Sequence, residues 1–253
     1  MERHIFFGDV HGCIEELDLL LNKLELTSED KLIFLGDLLD KGPASAEVVK
    51  RVRDLFPKHP GSVLIQGNHE EKHERFRKHL VNGGNRERTM KNYDELKAIT
   101  DSLSSEDIAF LNTAVLFHHV PEHDIFAVHG GISPSISRLP TKEELAGMSR
   151  KKLKHYQQML RVRYVDDRGY MIMLGEEMPG DKYWADVYDG RFGSVFFGHQ
   201  PFMESEPKEF RHATGLDLGC VFGGMLCAIV VEKDKEYPVL IKAKNKYATH
   251  YGE

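Results

Sequence analysis

The sequence predicts an α/β fold in which a second sheet packs against the first. Two observations carry this. The first seventy residues alternate short apolar runs with stretches of helical period, and from Ser194 onward one strand pattern follows another. Ile5-Phe6-Phe7 reads as a buried strand ending at Gly8-Asp9. Cys13 to Leu26 places Ile14, Leu17, Leu20, Leu21 and Leu24 on one helical face. Lys31 to Leu35 is a second strand, ending at Gly36-Asp37. Ala44 to Phe56 is a second helix, bracketed by Pro43 and Pro57. Val63-Leu64-Ile65 is a third strand that runs into Gly67-Asn68-His69, and His69 to Leu80 is helical. A βαβαβ order of this kind implies parallel, buried strands.

The middle of the chain is less regular. Residues 82 to 113 are polar, with one helix expected from Ser104 to Thr113. Val115 to His118 and Ile125 to His129 read as strands, and Thr141 to Arg161 is helix-rich. Val195-Phe196-Phe197, Thr214 to Leu218, Met225 to Val231 and Tyr237 to Ile241 supply the later strands. A second sheet accounts for them better than a purely doubly wound fold.

The 253 residues are enough to bury a core without staples. With 41% hydrophobic and 29% charged residues the composition is that of an ordered globular chain. A formal charge of -6 leaves no basic footprint for nucleic acid, so no nucleic-acid partner is expected, and a nuclease lacks its groove. No apolar run reaches the length of a membrane span, so no membrane is expected. Met1-Glu2-Arg3-His4 leads straight into the first strand, which reads as no signal peptide. Three scattered cysteines (Cys13, Cys220 and Cys227) suit a reducing cytoplasm.

Five segments carry the chemistry. They are Gly8-Asp9-Val10-His11-Gly12, Gly36-Asp37-Leu38-Leu39-Asp40-Lys41-Gly42, Gly67-Asn68-His69-Glu70, Val128-His129-Gly130-Gly131 and Gly198-His199-Gln200-Pro201. Each sets Asp, Asn or His beside Gly just after a strand, where open α/β sheets bind ligands. Carboxylate oxygen and imidazole nitrogen suit manganese, iron or zinc. In order and type the segments resemble the calcineurin-like metallophosphoesterases, most closely the PPP-type phosphatase branch. The closing stretch Leu216-Asp217-Leu218-Gly219-Cys220-Val221-Phe222-Gly223-Gly224 is similar to that of bacterial bis(5'-nucleosyl)-tetraphosphatases and related bacterial and phage serine/threonine phosphatases.

The resemblance implies an α/β/β/α sandwich of two mixed sheets flanked by helices, spanning residues 1–253 as one domain. A substrate lip is expected within residues 82–113 and 141–190. It also implies a cofactor of two divalent metal ions, manganese first, with iron or zinc as alternatives. Asp9 and His11 would hold one ion, Asp37 would bridge, and Asn68, His129 and His199 would complete the second. A metal-bound hydroxide would attack phosphorus. His69 matches the general acid, and Asp40 the carboxylate that orients it and holds it cationic. Lys41 stands where the family has Arg, and so would grip phosphate as a point charge. Arg161 or Arg163 would be a second phosphate ligand, with Arg161 favoured. If they lie on a strand, both could share a face.

The implied activity is phosphoester or phosphoanhydride hydrolysis, on dinucleoside tetraphosphates first and phosphoproteins as the alternative. A non-catalytic metal or phosphate sensor is the contrasting reading, but a sensor has no use for His69 and Asp40. Plainer roles are expected elsewhere. His73 and His79 read as helix surface, and His118 and His119 as ordinary strand residues. Glu70 reads as a structural hydrogen-bonding group, Cys13 as a packed small residue, and Arg150 to Lys154 as a solvated helix face. Trp184 could be core or a shelf for a nucleobase.

Overall fold

Alternation along the first strand sets the layers of the molecule. Successive side chains of a strand face opposite ways. Ile5 and Phe7 accordingly join one buried cluster and Phe6 another. The computed structural model describes residues 2–81, 92–233 and 235–249. The strand β1 (His4–Phe7) is followed by α1 (Ile14–Leu24), β2 (Lys31–Phe34), α2 (Ser45–Leu55), β3 (Val63–Leu64) and α3 (Asn68–Val81), in the expected order. Next come α4 (Tyr93–Ser102), α5 (Ser105–Leu111), β4 (Phe117–Val120), β5 (Ile125–Val128), α6 (Lys142–Ala146) and α7 (Arg150–Gln157). Then follow β6 (Tyr164–Val165), β7 (Lys182–Tyr183), α8 (Trp184–Val187) and β8 (Ser194–Phe197). Last are β9 (Lys208–Glu209), β10 (Ala213–Gly215), β11 (Met225–Glu232) and β12 (Lys235–Lys242).

Two five-stranded mixed sheets result, ordered β12-β11-β1-β2-β3 and β4-β5-β8-β10-β9. The strands β1, β2 and β3 are parallel, with Phe7 opposite Phe34 and Phe34 opposite Leu64. In the second sheet β5, β8 and β10 are parallel. Phe6, Ile33 and Ile65 meet Ala127, Phe196 and Leu216 between the sheets. Leu17, Leu20, Val48 and Val52 of α1 and α2 cover the outer face of the first sheet. Met159, Val162 and Trp184 cover the outer face of the second. This is the expected layering, and Trp184 is fully buried core rather than a shelf. The helix expected from Ser104 begins there because a capping box closes it. The Ser104 hydroxyl accepts from the Asp107 backbone N–H, and the Asp107 carboxylate accepts in return.

Arg161 and Arg163 are not on a strand. Arg161 ends a 3₁₀ turn over Gln158–Leu160, and β6 begins only at Tyr164. Of the expected lip, residues 82–91 lie outside the described residues. The 141–190 stretch carries α6, α7, the β6–β7 ribbon and α8. Among the described residues no helix is long and apolar enough to cross a membrane.

Candidate metal centre

Five parallel or sheet-adjacent strand ends feed one buried site. β1 delivers Asp9 and His11, β2 delivers Asp37, β3 runs into Asn68, β5 delivers His129 and β8 delivers His199. The turns are tight. His11, Asp37, Asp40, Lys41 and His199 have φ between 46° and 68°. That left-handed conformation costs roughly 1–3 kcal/mol for a non-glycine residue, so the surroundings must enforce it. Glu70 does much of this. Its carboxylate accepts from the backbone N–H groups of Asp37 (2.8 Å), Leu38 (2.9 Å) and Gly67 (2.9 Å). It thereby ties the second and third loops together, the structural role expected of it. The Asp40 N–H donates to Ser45 Oγ at 3.0 Å, and the His11 N–H to the Asp37 carbonyl at 2.8 Å. At Gly67 and Gly198 a side chain is excluded outright, because a Cβ would collide with Asp37 Oδ1 and Asp9 Oδ1 respectively.

All six expected metal ligands converge, and all are buried. Asp37 is central: its Oδ2 lies 3.5 Å from His11 Nε2, 3.3 Å from His129 Nε2 and 3.8 Å from His69 Nε2. His11 Nε2 is 4.0 Å from Asp9 Oδ2. Asn68 Oδ1 faces His129 Nε2 at 2.9 Å and His199 Nδ1 at 2.8 Å. The outer nitrogens of two rings are already committed. His11 Nδ1 donates to the Leu39 carbonyl and His129 Nδ1 to the Leu35 carbonyl, both at 2.8 Å. That arrangement directs Nε2 of each ring inward, as a backbone carbonyl on the other ring nitrogen does for metal-binding histidines. Asp9 Oδ1 is buried with no hydrogen-bond partner among the described residues. An orphaned carboxylate oxygen beside converging imidazoles fits a divalent cation.

The electrostatics agree. Burial, and then the Asp217 carboxylate, push Asp9 well above the usual carboxylate range. Burial works against a charged His129, but Asp37 and Asp9 outweigh it and lift its pKa to about 9. Burial also opposes ionisation of Asp37, yet His129 and His69 hold it well below the ordinary value. Burial instead holds His11 and His199 well below the usual imidazole value, so their lone pairs are open to a cation, while metal ions would displace the protons of Asp9 and His129.

The structure brings the remaining expected residues to the rim. His69 Nδ1 is 2.5 Å from Asp40 Oδ2. Lys41 Nζ donates to His11 Nε2 at 3.2 Å and lies over the Phe222 ring. Arg161 and Arg163 reach the site through different partners. Arg161 donates to the Glu71 carboxylate at 2.7 Å and to the Asn68 carbonyl at 3.4 Å, whereas Arg163 donates to Gln200 Oε1 at 2.9 Å and to the His199 carbonyl at 3.3 Å. Residues 3–223 match the family of calcineurin-like phosphoesterases. The chain belongs to this family. It is therefore a phosphoester or phosphoanhydride hydrolase of a metal-dependent class. Among its relatives, the asymmetrical bis(5'-nucleosyl)-tetraphosphatase PrpE of Oceanobacillus iheyensis is 31% identical, over 87% of this chain and 85% of that protein. The PrpE of Halalkalibacterium halodurans is 33% identical, over 88% and 87%. The crystal structure of a provisionally named diadenosine tetraphosphatase superposes with a TM-score of 0.69 at 26% identity, covering 94% of this chain and 93% of that one. A serine/threonine phosphatase from Saccharomyces cerevisiae shares the fold at 16% identity, with a TM-score of 0.63, over 96% of this chain and 80% of that one.

This phosphoesterase holds two site residues that sequence reasoning missed or misplaced. His73 is not helix surface. It is fully buried on α3, with Nε2 2.7 Å from Asp40 Oδ1. A signal existed: His69 and His73 are four apart, so on a helix they share a face. Asp217 is buried beside Asp9 and accepts from the Gly219 N–H at 2.9 Å. Its signal was an Asp between two leucines of strand character, where a charge has no reason to sit unless a site needs it.

Proposed function

We propose that this phosphoesterase hydrolyses dinucleoside tetraphosphates asymmetrically, leaving three phosphates on one nucleoside and one on the other. One observation carries the substrate: relatives of that name match along nearly their whole length, at 31% and 33% identity. The phosphoprotein alternative has only the shared fold behind it. Asp9, His11 and Asp37 would hold one divalent ion, and Asp37, Asn68, His129 and His199 a second, with manganese first and iron or zinc next. When bound, such a pair supplies a clamp for phosphoryl oxygens and an acidified water at neutral pH. His69, fixed by Asp40, gives its proton to the departing oxygen. Lys41 and Arg161 or Arg163 grip the phosphates. We place the substrate lip in the described part of residues 82–113 and in 141–190 of a single domain, and the protein in the cytoplasm with no membrane or nucleic-acid partner.

Assay of the purified protein with manganese against dinucleoside tetraphosphates, phosphopeptides and mononucleotides tests the proposal. Faster turnover of the tetraphosphate, with unequal products, is expected. Preference for phosphopeptides would replace this substrate by the alternative.

Lys41 yields a smaller prediction. Lys41→Ala removes a charged partner of the phosphate, worth about 1.5–3 kcal/mol, so a loss of roughly ten- to a hundredfold in kcat/KM is expected. Lys41→Arg brings a planar fork to the same place and should equal or exceed the wild type on an aryl phosphate. Steady-state kinetics of the three proteins check it, and wild-type behaviour of Lys41→Ala would remove Lys41 from the phosphate site.

A further inference from the structure

Asp40 is a buried carboxylate gripped at both oxygens. Oδ2 faces His69 Nδ1 at 2.5 Å, and Oδ1 faces His73 Nε2 at 2.7 Å. The two imidazoles rise from adjacent turns of one helix, α3, so a single rigid element sets both sides of the clamp. Beyond His73, its Nδ1 lies 3.3 Å from the Thr100 hydroxyl on α4. A hydroxyl donating to Nδ1 selects the tautomer in which Nε2 carries the hydrogen directed at Asp40. Lys72 Nζ also approaches Asp40 Oδ2, at 3.6 Å, from the partly exposed side.

We infer that His73 is a positioning residue for the leaving-group acid: by fixing Asp40 Oδ1, backed by Thr100, it holds Asp40 Oδ2 in line with His69. The inference rests on the reading of His69 as that acid. A carboxylate held at one oxygen can swing about its χ2 bond, which is broad for Asp. Held at both oxygens it cannot, and the proton-bearing ring of His69 keeps its aim at the departing oxygen. Among the described residues the His73 ring hydrogen-bonds Asp40 and Thr100 rather than an expected metal ligand, so its removal should spare the metals. Catalytic groups loosened by about an ångström lose rate while substrate binding persists.

The test uses the manganese-loaded protein and aryl phosphates whose leaving groups span several units of pKa. In His73→Leu, kcat should fall roughly ten- to a hundredfold for the poorest leaving group and far less for the best, with KM and manganese content unchanged. Gln carries an amide N–H near the place of the lost Nε2–H, so His73→Gln should recover most of the rate. In a His69→Asn background, His73→Leu should cost less than about twofold, because a residue acting through His69 has nothing left to position. An equal loss for every leaving group would overturn the inference. So would failure of Gln to outperform Leu, or a loss as large in the His69→Asn background as in the wild type. Any of these leaves His69 itself untouched. Only a loss in the single His69→Asn variant that is equal for every leaving group would remove the acid and the inference together. Thermal midpoints of His73→Leu and His73→Gln separate loss of fold from loss of rate. If Leu loses activity and Gln retains it at equal midpoints, the positioning role stands.

Discussion

Asp37→Asn should lose bound metal and turnover together, with activity down on the order of 10³-fold or more. Asp37 Oδ2 lies within 3.8 Å of the Nε2 atoms of His11, His129 and His69 at once, so it is the ligand proposed to serve both ions. Removing its charge weakens attraction for both, and metal-ion stabilisation of a phosphoryl transition state is worth several kcal/mol. Each 1.36 kcal/mol is tenfold in rate. The choice of Asn isolates this effect. Asp37 has φ 51°, and Asn accepts the left-handed region as readily as Asp does. Asn also keeps an oxygen that can accept from the His69 backbone N–H, which lies 3.0 Å from Asp37 Oδ1. The fold should therefore survive. Asp9→Asn is the control, because Asp9 Oδ2 lies 4.0 Å from His11 Nε2 and accepts from the His199 N–H at 3.0 Å, and its loss should weaken mainly one ion. Manganese content per chain, alongside kcat, checks the prediction. Full occupancy with normal turnover in Asp37→Asn would refute the bridge.

The strand ends were legible because their chemistry is local. An apolar run followed by Gly and a ligand-type residue fixes both the sheet and the direction in which Asp9, Asp37 and His129 must point. The helices α1 and α2 were legible for the same reason, as their apolar faces recur at a fixed period. Arg161 and Arg163 were not. Alternation around Val162 mimics a strand, yet Val162 is buried because it plugs the core behind the second sheet, next to Met159 and Trp184. The two arginines reach different partners, Glu71 and Gln200, through a turn and not through pleat geometry. His73 was hidden differently. Its neighbours Lys72 and Glu74 are charged, so the segment reads as solvent-facing, and only the Asp40 carboxylate, 33 residues earlier in the chain, explains a buried imidazole there. Partners that far apart leave no periodic trace.

His69→Asn should keep both metals and slow hydrolysis of poor aryl leaving groups by roughly 10²–10⁴-fold, the range for a lost general acid. The ring is placed for this. Nδ1 is engaged by Asp40 at 2.5 Å, which leaves Nε2, 3.8 Å from Asp37 Oδ2, on the side of the expected metals. Asp40 itself is suited to the task. Burial opposes its charge, but the hydrogen bonds from His69 and His73 outweigh burial and hold it well below the usual carboxylate range. It therefore stays an anion across any working pH and presents a fixed negative charge to the ring. A carboxylate so placed aims the ring and strengthens its donation to the departing oxygen. The demand for that proton varies with substrate. An alkoxide or a poor phenolate needs it, whereas a nitrophenolate departs unaided. Plotting log kcat against leaving-group pKa should give a shallow line for the wild type and a steep one for His69→Asn, the two converging at the best leaving group. Parallel lines would mean that His69 serves phosphate binding or the metals instead, and in that case the loss should appear in KM or in manganese content.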